Sequence, residues 1–238
     1  MQLRLPRTSG LDDEPDTTSR MRQTPFSRFG RMAAMPPVAG VGQRIGLLGG
    51  SFNPPHAAHL LISEIALRRL GLDRLWWLVT PGNPLKMGNF LMPLADRVAA
   101  CQEMAKDPRI VITTFEKDLQ TAFTAATLDF LRVRYPGTHF VWIMGADCLA
   151  QFHRWQQWQH IFETMPVAVI DRPAWRMKAA ASTPAKTYSR FRIPELRAAS
   201  LPGAATPAWS LITGPLSTLS STQLRAARGI GGDPAGKR

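Results

Sequence analysis

Between Arg44 and Ile170 short apolar runs alternate with stretches of helical length, and no other feature restricts the fold of this chain as strongly. Arg44-Ile45-Gly46-Leu47-Leu48 runs into Gly49-Gly50 and reads as a buried strand entering a tight turn. His56 to Leu70 follows as a helix, with Ala57, Leu61 and Ile65 on one stripe. Leu75-Trp76-Trp77-Leu78-Val79 is the second strand, closed by Pro81-Gly82-Asn83-Pro84, and Pro93 to Lys106 the second helix. Ile110-Val111-Ile112-Thr113, His139 to Met144 and Pro166 to Ile170 read as further strands, with a helix from Ala122 to Arg134 stopped by Pro136-Gly137. Strands separated in this way form right-handed βαβ units. The expected fold class is therefore α/β, a doubly wound and mostly parallel sheet. Such a sheet binds ligands outside the carboxyl ends of its strands, where the strand order reverses.

The flanks read differently. Residues 1–43 contain Pro6, Pro15, Pro25, Pro36 and Pro37, many Ser, Thr and Arg, and no sustained apolar period. Such a segment buries too little apolar surface to offset its ordering entropy, so a disordered extension is expected there. Met21, Met32 and Met35 inside it are alternative starts, which an intact mass of the natively expressed protein would test. One domain is expected over residues 44–230, with a flexible tail at 231–238. Residues 171–207 carry seven basic residues, several prolines and little periodicity, and read as a long loop with a short helix.

Composition narrows the function classes. Lys and Arg number 29 against 17 Asp and Glu, a formal charge of +12, which suits nucleic acid, a membrane surface or phosphorylated small molecules. The excess is scattered, without the basic run of a nucleic-acid-binding arm. No run nears the ~18 apolar residues of a membrane helix, and no secretory signal opens the chain. Cys101 and Cys148 make no disulfide framework, and no Cys/His spacing suits zinc. A soluble cytoplasmic protein is expected.

The stretch richest in chemistry is Gly49-Gly50-Ser51-Phe52-Asn53-Pro54-Pro55-His56-Ala57-Ala58-His59, between the first strand and the first helix. Glycines there let backbone N–H groups approach an anion, and a helix N-terminus adds positive potential. Asn53-Pro54 suits an N-cap and first turn. His56 and His59, three residues apart, would project from the same side of that helix. Two imidazoles so placed can hold phosphate oxygens and stabilise charge growing in a transition state. Near the other end of the chain, Ser220 with Gln223 forms a capping box that would leave Ser221 and Thr222 at a helix N-terminus, with Arg225 one turn on.

These two stretches resemble the signatures of the nucleotidyltransferases that carry an HxGH motif, and within them the bacterial nicotinate-mononucleotide adenylyltransferases. Ala58 stands where the signature has Gly between its histidines, and Asn53 where the loop often has Asp. Leu219 to Arg225 is similar to the Ile-Ser-Ser-Thr-x-Ile-Arg element that grips ATP phosphates from the opposite side. Thr121-Ala122-Phe123-Thr124-Ala125-Ala126-Thr127-Leu128 resembles the Tyr-Thr-x-x-Thr-Leu element, with Phe123 for Tyr. Met144 to Trp155 resembles the fourth-strand segment, and Asp171-Arg172-Pro173 the adenosine-side turn.

The resemblance implies a Rossmann-like, single nucleotidyltransferase domain, with ATP and nicotinate mononucleotide as substrates and Mg²⁺ carried with ATP. It implies His56, His59 and Arg225 as catalytic residues. Gly49, Gly50, Ser51, Phe52, Lys86, Asp147, Arg172, Ser221 and Thr222 would bind ATP and phosphate. Asn53, Thr124 and Trp155 would bind the nicotinate nucleotide, Trp155 by stacking on its ring. No protein ligand for a metal is implied, nor any nucleic acid or membrane partner. His153 and His160 read as structural. Two alternatives stay open at this point: a sibling enzyme using phosphopantetheine or nicotinamide mononucleotide, and a basic RNA-binding protein with a vestigial nucleotide fold. The second needs an aromatic-basic surface or an RNA motif, and none is visible.

Overall fold

The computed structural model describes residues 34–82, 91–119, 121 and 123–214. Its strands are β1 (Arg44–Gly50), β2 (Arg74–Val79), β3 (Ile110–Thr113), β4 (His139–Gly145), β5 (Val167–Ile170) and β6 (Trp209–Ile212). All pair in parallel, in the order β3-β2-β1-β4-β5-β6. The order reverses between β1 and β4, which makes their carboxyl ends the crevice of a doubly wound sheet. The helices are α1 (Ala57–Arg69), α2 (Leu94–Met104), α3 (Thr124–Arg134), α4 (Ala146–Gln151), α5 (Trp158–Thr164), α6 (Arg176–Ala180) and α7 (Thr183–Thr187).

Past the exposed Arg44, Arg74 and His139 that open β1, β2 and β4, the strands are almost entirely apolar because both faces of the sheet are covered. Successive strand residues point to opposite faces, so the neighbours Trp76 and Trp77 enter different cores. Trp76 joins Leu47, Trp142 and Trp209 beneath α3 and α5. Trp77 joins Leu48, Val141 and Ile143 beneath α1 and α2. Each such side chain contributes roughly 1.5–3 kcal/mol by leaving water. Helix α1 buries Ala58, Ile62, Ile65 and Ala66, and Arg68 and Arg69 in its last turn complement the helix dipole. It ends at Gly71, φ +61°, with Leu72 N–H donating to Leu67 O at 3.1 Å, a Schellman closure that needs a left-handed residue.

Three sequence expectations change. Asn53 does not cap α1: the cap position is His56, in extended backbone, because Pro54 and Pro55 each disfavour helical geometry in the residue before them. The segment expected as a loop over 171–207 folds into α6, α7 and two 3₁₀ turns, Ser189–Phe191 and Glu195–Gly203, and delivers the unanticipated strand β6. Within it Tyr188 stacks on Phe162 with ring centroids 4.5 Å apart, and its carbonyl accepts from Trp209 Nε1–H at 2.8 Å. Finally, residues 34–43 of the expected extension are tied to the domain. Tyr135 Oη donates to Pro37 O at 3.0 Å, Thr138 Oγ1 to Gly40 O at 2.9 Å, and Gly42 N–H to Gly137 O at 2.7 Å. The expected tail at 231–238 and the capping-box helix lie outside the described residues.

Candidate active site

At the crevice both central strands end in glycine. A Cβ on Gly49 would lie 2.5 Å from the Trp142 ring, and one on Gly145 would meet Arg172 Cδ at 3.0 Å and the Asp147 carboxylate closer still. Each glycine thus lets a large neighbour approach the strand end. The chain leaves β1 through Ser51 and Phe52, and Phe52 is held at φ +44°, a left-handed conformation unfavourable for a side chain of that size. Its ring is fully buried and stacks on Trp77 at 4.9 Å and against His59 at 4.6 Å. That packing compensates the backbone strain.

His56 and His59 come together as the sequence suggests, with ring centroids 3.8 Å apart, although only His59 is inside the helix. His59 Nδ1 accepts the backbone N–H of His56 at 3.2 Å. The proton of a neutral His59 ring therefore sits on Nε2, which becomes a hydrogen-bond donor. Behind it, Trp77 Nε1–H donates to Ser63 Oγ at 2.8 Å, and Ser63 Oγ–H donates to His59 O at 2.7 Å. Ser63 is completely buried in α1, a position the sequence reading passed over. His56 is 6% exposed, and its Nδ1 has no hydrogen-bond partner among the described residues. Burial first, and the Arg172 charge second, push its pKa down to about 4, so it is neutral at physiological pH.

On the β4 side, Asp147 in the first turn of α4 pairs with Arg172 after β5, Oδ2 to Nη1 at 2.8 Å. Asp147 Oδ1 is buried without a partner among the described residues. Two residues expected at the nucleotide are thus joined to each other, with one acceptor oxygen left open. Asn53 is buried and its Oδ1 accepts Met92 N–H at 3.1 Å, an anchor for the loop that the sequence does not announce.

Thr124 and Trp155 follow the carboxyl ends of β3 and β4 respectively. Thr124 opens α3 after Phe123, itself 41% exposed, so the first N–H groups of an eleven-residue helix lie there. Trp155 is half-buried, its ring 4.9 Å from Phe152 and 6.3 Å from Trp142. His160 bridges α5 to α3 through Asp129 at 2.9 Å, a structural role as expected, and His153 is exposed. Lys86, Ser221, Thr222 and Arg225 lie outside the described residues. Two buried ionisable side chains border the site without a sequence signal: Arg97 on α2 and Glu116 in the 3₁₀ turn after β3. Glu116 accepts from Thr127 Oγ1 at 2.8 Å, and burial pushes its pKa up to about 7. No cluster of three or more His, Cys, Asp or Glu side chains suited to a metal occurs among the described residues.

The fold and this glycine-edged, two-histidine site define the class. Residues 47–227 match the cytidylyltransferase-like family, and the chain belongs to it. Within that family its relatives are nicotinate-nucleotide adenylyltransferases. It is 56% identical over 181 residues to the probable nicotinate-nucleotide adenylyltransferase of Agrobacterium fabrum, covering 76% of this chain and 97% of that one. The protein of the same description from Bradyrhizobium sp. (strain BTAi1) is 56% identical over 182 residues, 76% of this chain and 95% of the other. Among solved structures, the Plasmodium falciparum nicotinic acid mononucleotide adenylyltransferase complexed with NaAD superposes with a TM-score of 0.58. It is 17% identical, over 77% of this chain and 83% of that one, a likeness of fold.

Proposed function

We propose that this enzyme transfers the adenylyl group of ATP to the 5′-phosphate of nicotinate mononucleotide. A phosphate oxygen of the mononucleotide forms a bond to the α-phosphorus, the bond to the β-phosphate oxygen breaks, and pyrophosphate leaves. The product, nicotinate adenine dinucleotide, is a precursor of NAD. The observation that carries the reading is the His56–His59 pair at the start of α1, beside glycine-ended β1 and β4. The attacking phosphate is already an anion at pH 7, so no general base is needed, and catalysis consists of positioning and charge stabilisation.

In this reading His59 Nε2–H holds an α-phosphate oxygen, and neutral His56 donates a ring N–H to the same phosphates. The Gly49-to-Phe52 loop and the dipole of α1 supply further positive potential. Asp147 Oδ1 accepts from a nucleotide hydroxyl or amino group, and Arg172 stands on the adenosine side. The N-terminus of α3 at Thr124 receives the nicotinate carboxylate, Trp155 stacks on the pyridine ring, and Asn53 shapes the acceptor side of the loop. By resemblance, Lys86, Ser221, Thr222 and Arg225 hold the remaining phosphate oxygens. Mg²⁺ would enter with ATP as part of the substrate and would supply charge neutralisation at the leaving pyrophosphate, with no ligand required from the described residues.

No helix among the described residues is long and apolar enough to cross a membrane, and a cytoplasmic location belongs to the same proposal. Partners are the two nucleotides, without nucleic acid or membrane. The deciding experiment measures pyrophosphate release from ATP and Mg²⁺, with nicotinate and nicotinamide mononucleotides offered separately. A strong preference for the acid is expected. Equal use would keep the chemistry and overturn the roles given to Thr124 and Trp155. No release with either would point to phosphopantetheine.

A further inference from the structure

Arg97 is 1% exposed, among the largest fully buried side chains of the domain, yet no carboxylate pairs with it among the described residues. Its donors go to backbone carbonyls of three separate segments. Nη1 donates to Ser51 O at 2.7 Å in the loop after β1, and to Thr80 O at 2.8 Å at the end of β2. Nη2 reaches Pro81 O at 3.4 Å, and Nε donates to Met92 O at 2.9 Å just before α2. Met92 N–H in turn donates to Asn53 Oδ1 at 3.1 Å, which closes a second link between α2 and the same loop. A guanidinium's rigid fork suits such a divergent set of acceptors, and a lysine ammonium does not.

The contact with Ser51 O has a directional consequence. In a trans peptide the C=O and the following N–H point in opposite directions. The Ser51–Phe52 peptide is not among the cis bonds, so drawing Ser51 O inward towards Arg97 turns Phe52 N–H outward, away from the guanidinium. The same contact braces Phe52 at its unfavourable φ of +44°, beside the stack on Trp77 and His59.

We propose that Arg97 is a positioning residue: it clamps the Gly49–Asn53 loop to the ends of β2 and α2 and thereby sets the phosphate-binding geometry without touching substrate. The uncompensated charge also lies directly behind that loop, where it adds to the field that receives substrate phosphates. The inference rests on the adenylyl-transfer reading only for its activity arm.

Wild type is first assayed for pyrophosphate release, which tests the functional reading by itself. Arg97→Lys and Arg97→Met are then compared with it well below their melting temperatures, each checked for folding by circular dichroism. Both are expected to lose kcat by about 10²-fold, the scale of a small misplacement at a reacting centre, with KM for the pyridine nucleotide within about twofold of wild type. Retention of charge in the lysine variant should not rescue turnover, because one ammonium cannot reach all four carbonyls. Unchanged kcat in a folded variant would reduce Arg97 to a packing role. The second arm uses wild type and ATP alone, and so survives both misfolded variants and an inactive enzyme. Hydrogen exchange is followed with and without ATP in peptides covering 49–55 and 91–97. Coupled protection of both is expected, and protection confined to 49–55 would overturn the clamp.

Discussion

The Gly49–Asn53 loop and the start of α3 are each backed by a buried ionisable side chain from outside the sequence motifs, Arg97 and Glu116, and the two are built on opposite principles. Behind the loop after β1, Arg97 keeps its proton although burial lowers its pKa, because several carbonyl dipoles surround the guanidinium. Beneath the start of α3, Glu116 accepts from one side chain among the described residues, Thr127, and burial pushes it up to about 7 instead. A cation can be solvated by backbone oxygens, which every loop supplies. A carboxylate needs N–H or O–H donors, and strands and helices have already used most of theirs. The loop after β1 therefore rests on a fixed, charged frame, and the start of α3 on an acid whose charge depends on pH.

Four experiments sharpen or break that contrast. The largest effect is expected beside the loop after β1. His59→Ala should lower kcat by roughly 10²–10³, as for removal of one preorganised transition-state donor, measured by pyrophosphate release. Near-normal turnover would take His59 out of the mechanism.

Beneath the start of α3, Glu116→Gln keeps an acceptor for Thr127 and removes the titration. The folded protein binds more protons than the unfolded chain between 4.5 and about 7, so Glu116 lowers stability as pH rises through that window. The variant should gain on the order of 3 kcal/mol over wild type at pH 8.5, and little at pH 4.5, in urea denaturation. An equal effect at both pH values would show that Glu116 does not titrate there.

Trp155→Ala should raise KM for the pyridine nucleotide roughly tenfold with a smaller change in kcat, the scale of an aromatic pair plus its lost contact area. An unchanged KM would leave the indole as packing against Phe152 and Trp142. The smallest effect concerns His56. Arg172→Ala removes one of the two causes that depress its pKa, so an NMR titration should show the value rising while burial keeps it below 6.5. In wild type the unfolded chain binds more protons between about 4 and 6.5, so His56 lowers stability as the pH falls through that range. Its contribution thus runs opposite to that of Glu116. No movement of the His56 titration would mean that Arg172 does not act on it.

Much of the architecture was legible in the sequence because it depends on local information. The alternation of apolar runs and helical stretches located β1 to β5 and α1 to α3, most within about two residues of their observed ends. Helix α1 begins after Pro55 because of the two prolines themselves, a detail present in the sequence but outweighed by the capping tendency of Asn53. Strand β6 escaped notice because four residues, Trp209 to Ile212, carry no usable period, and what makes them a strand is the open edge of β5. The helical content of 171–207 likewise depends on docking, through contacts such as Tyr188 on Phe162.

For the site, the sequence by itself determined the residue types and their order: a glycine turn, two histidines at a helix start, and the later Thr124, Asp147, Trp155 and Arg172. Such spacings reflect the covalent chain and its local backbone preferences. Only the tertiary structure decided which nitrogen of His59 the backbone holds, that Asp147 and Arg172 are paired, and that Arg97, Ser63, Trp77 and Glu116 stand behind the visible motifs. Those outcomes turn on burial and on hydrogen bonds between residues distant in the chain. A side chain's burial and partners exist only once the sheet has brought its strands together.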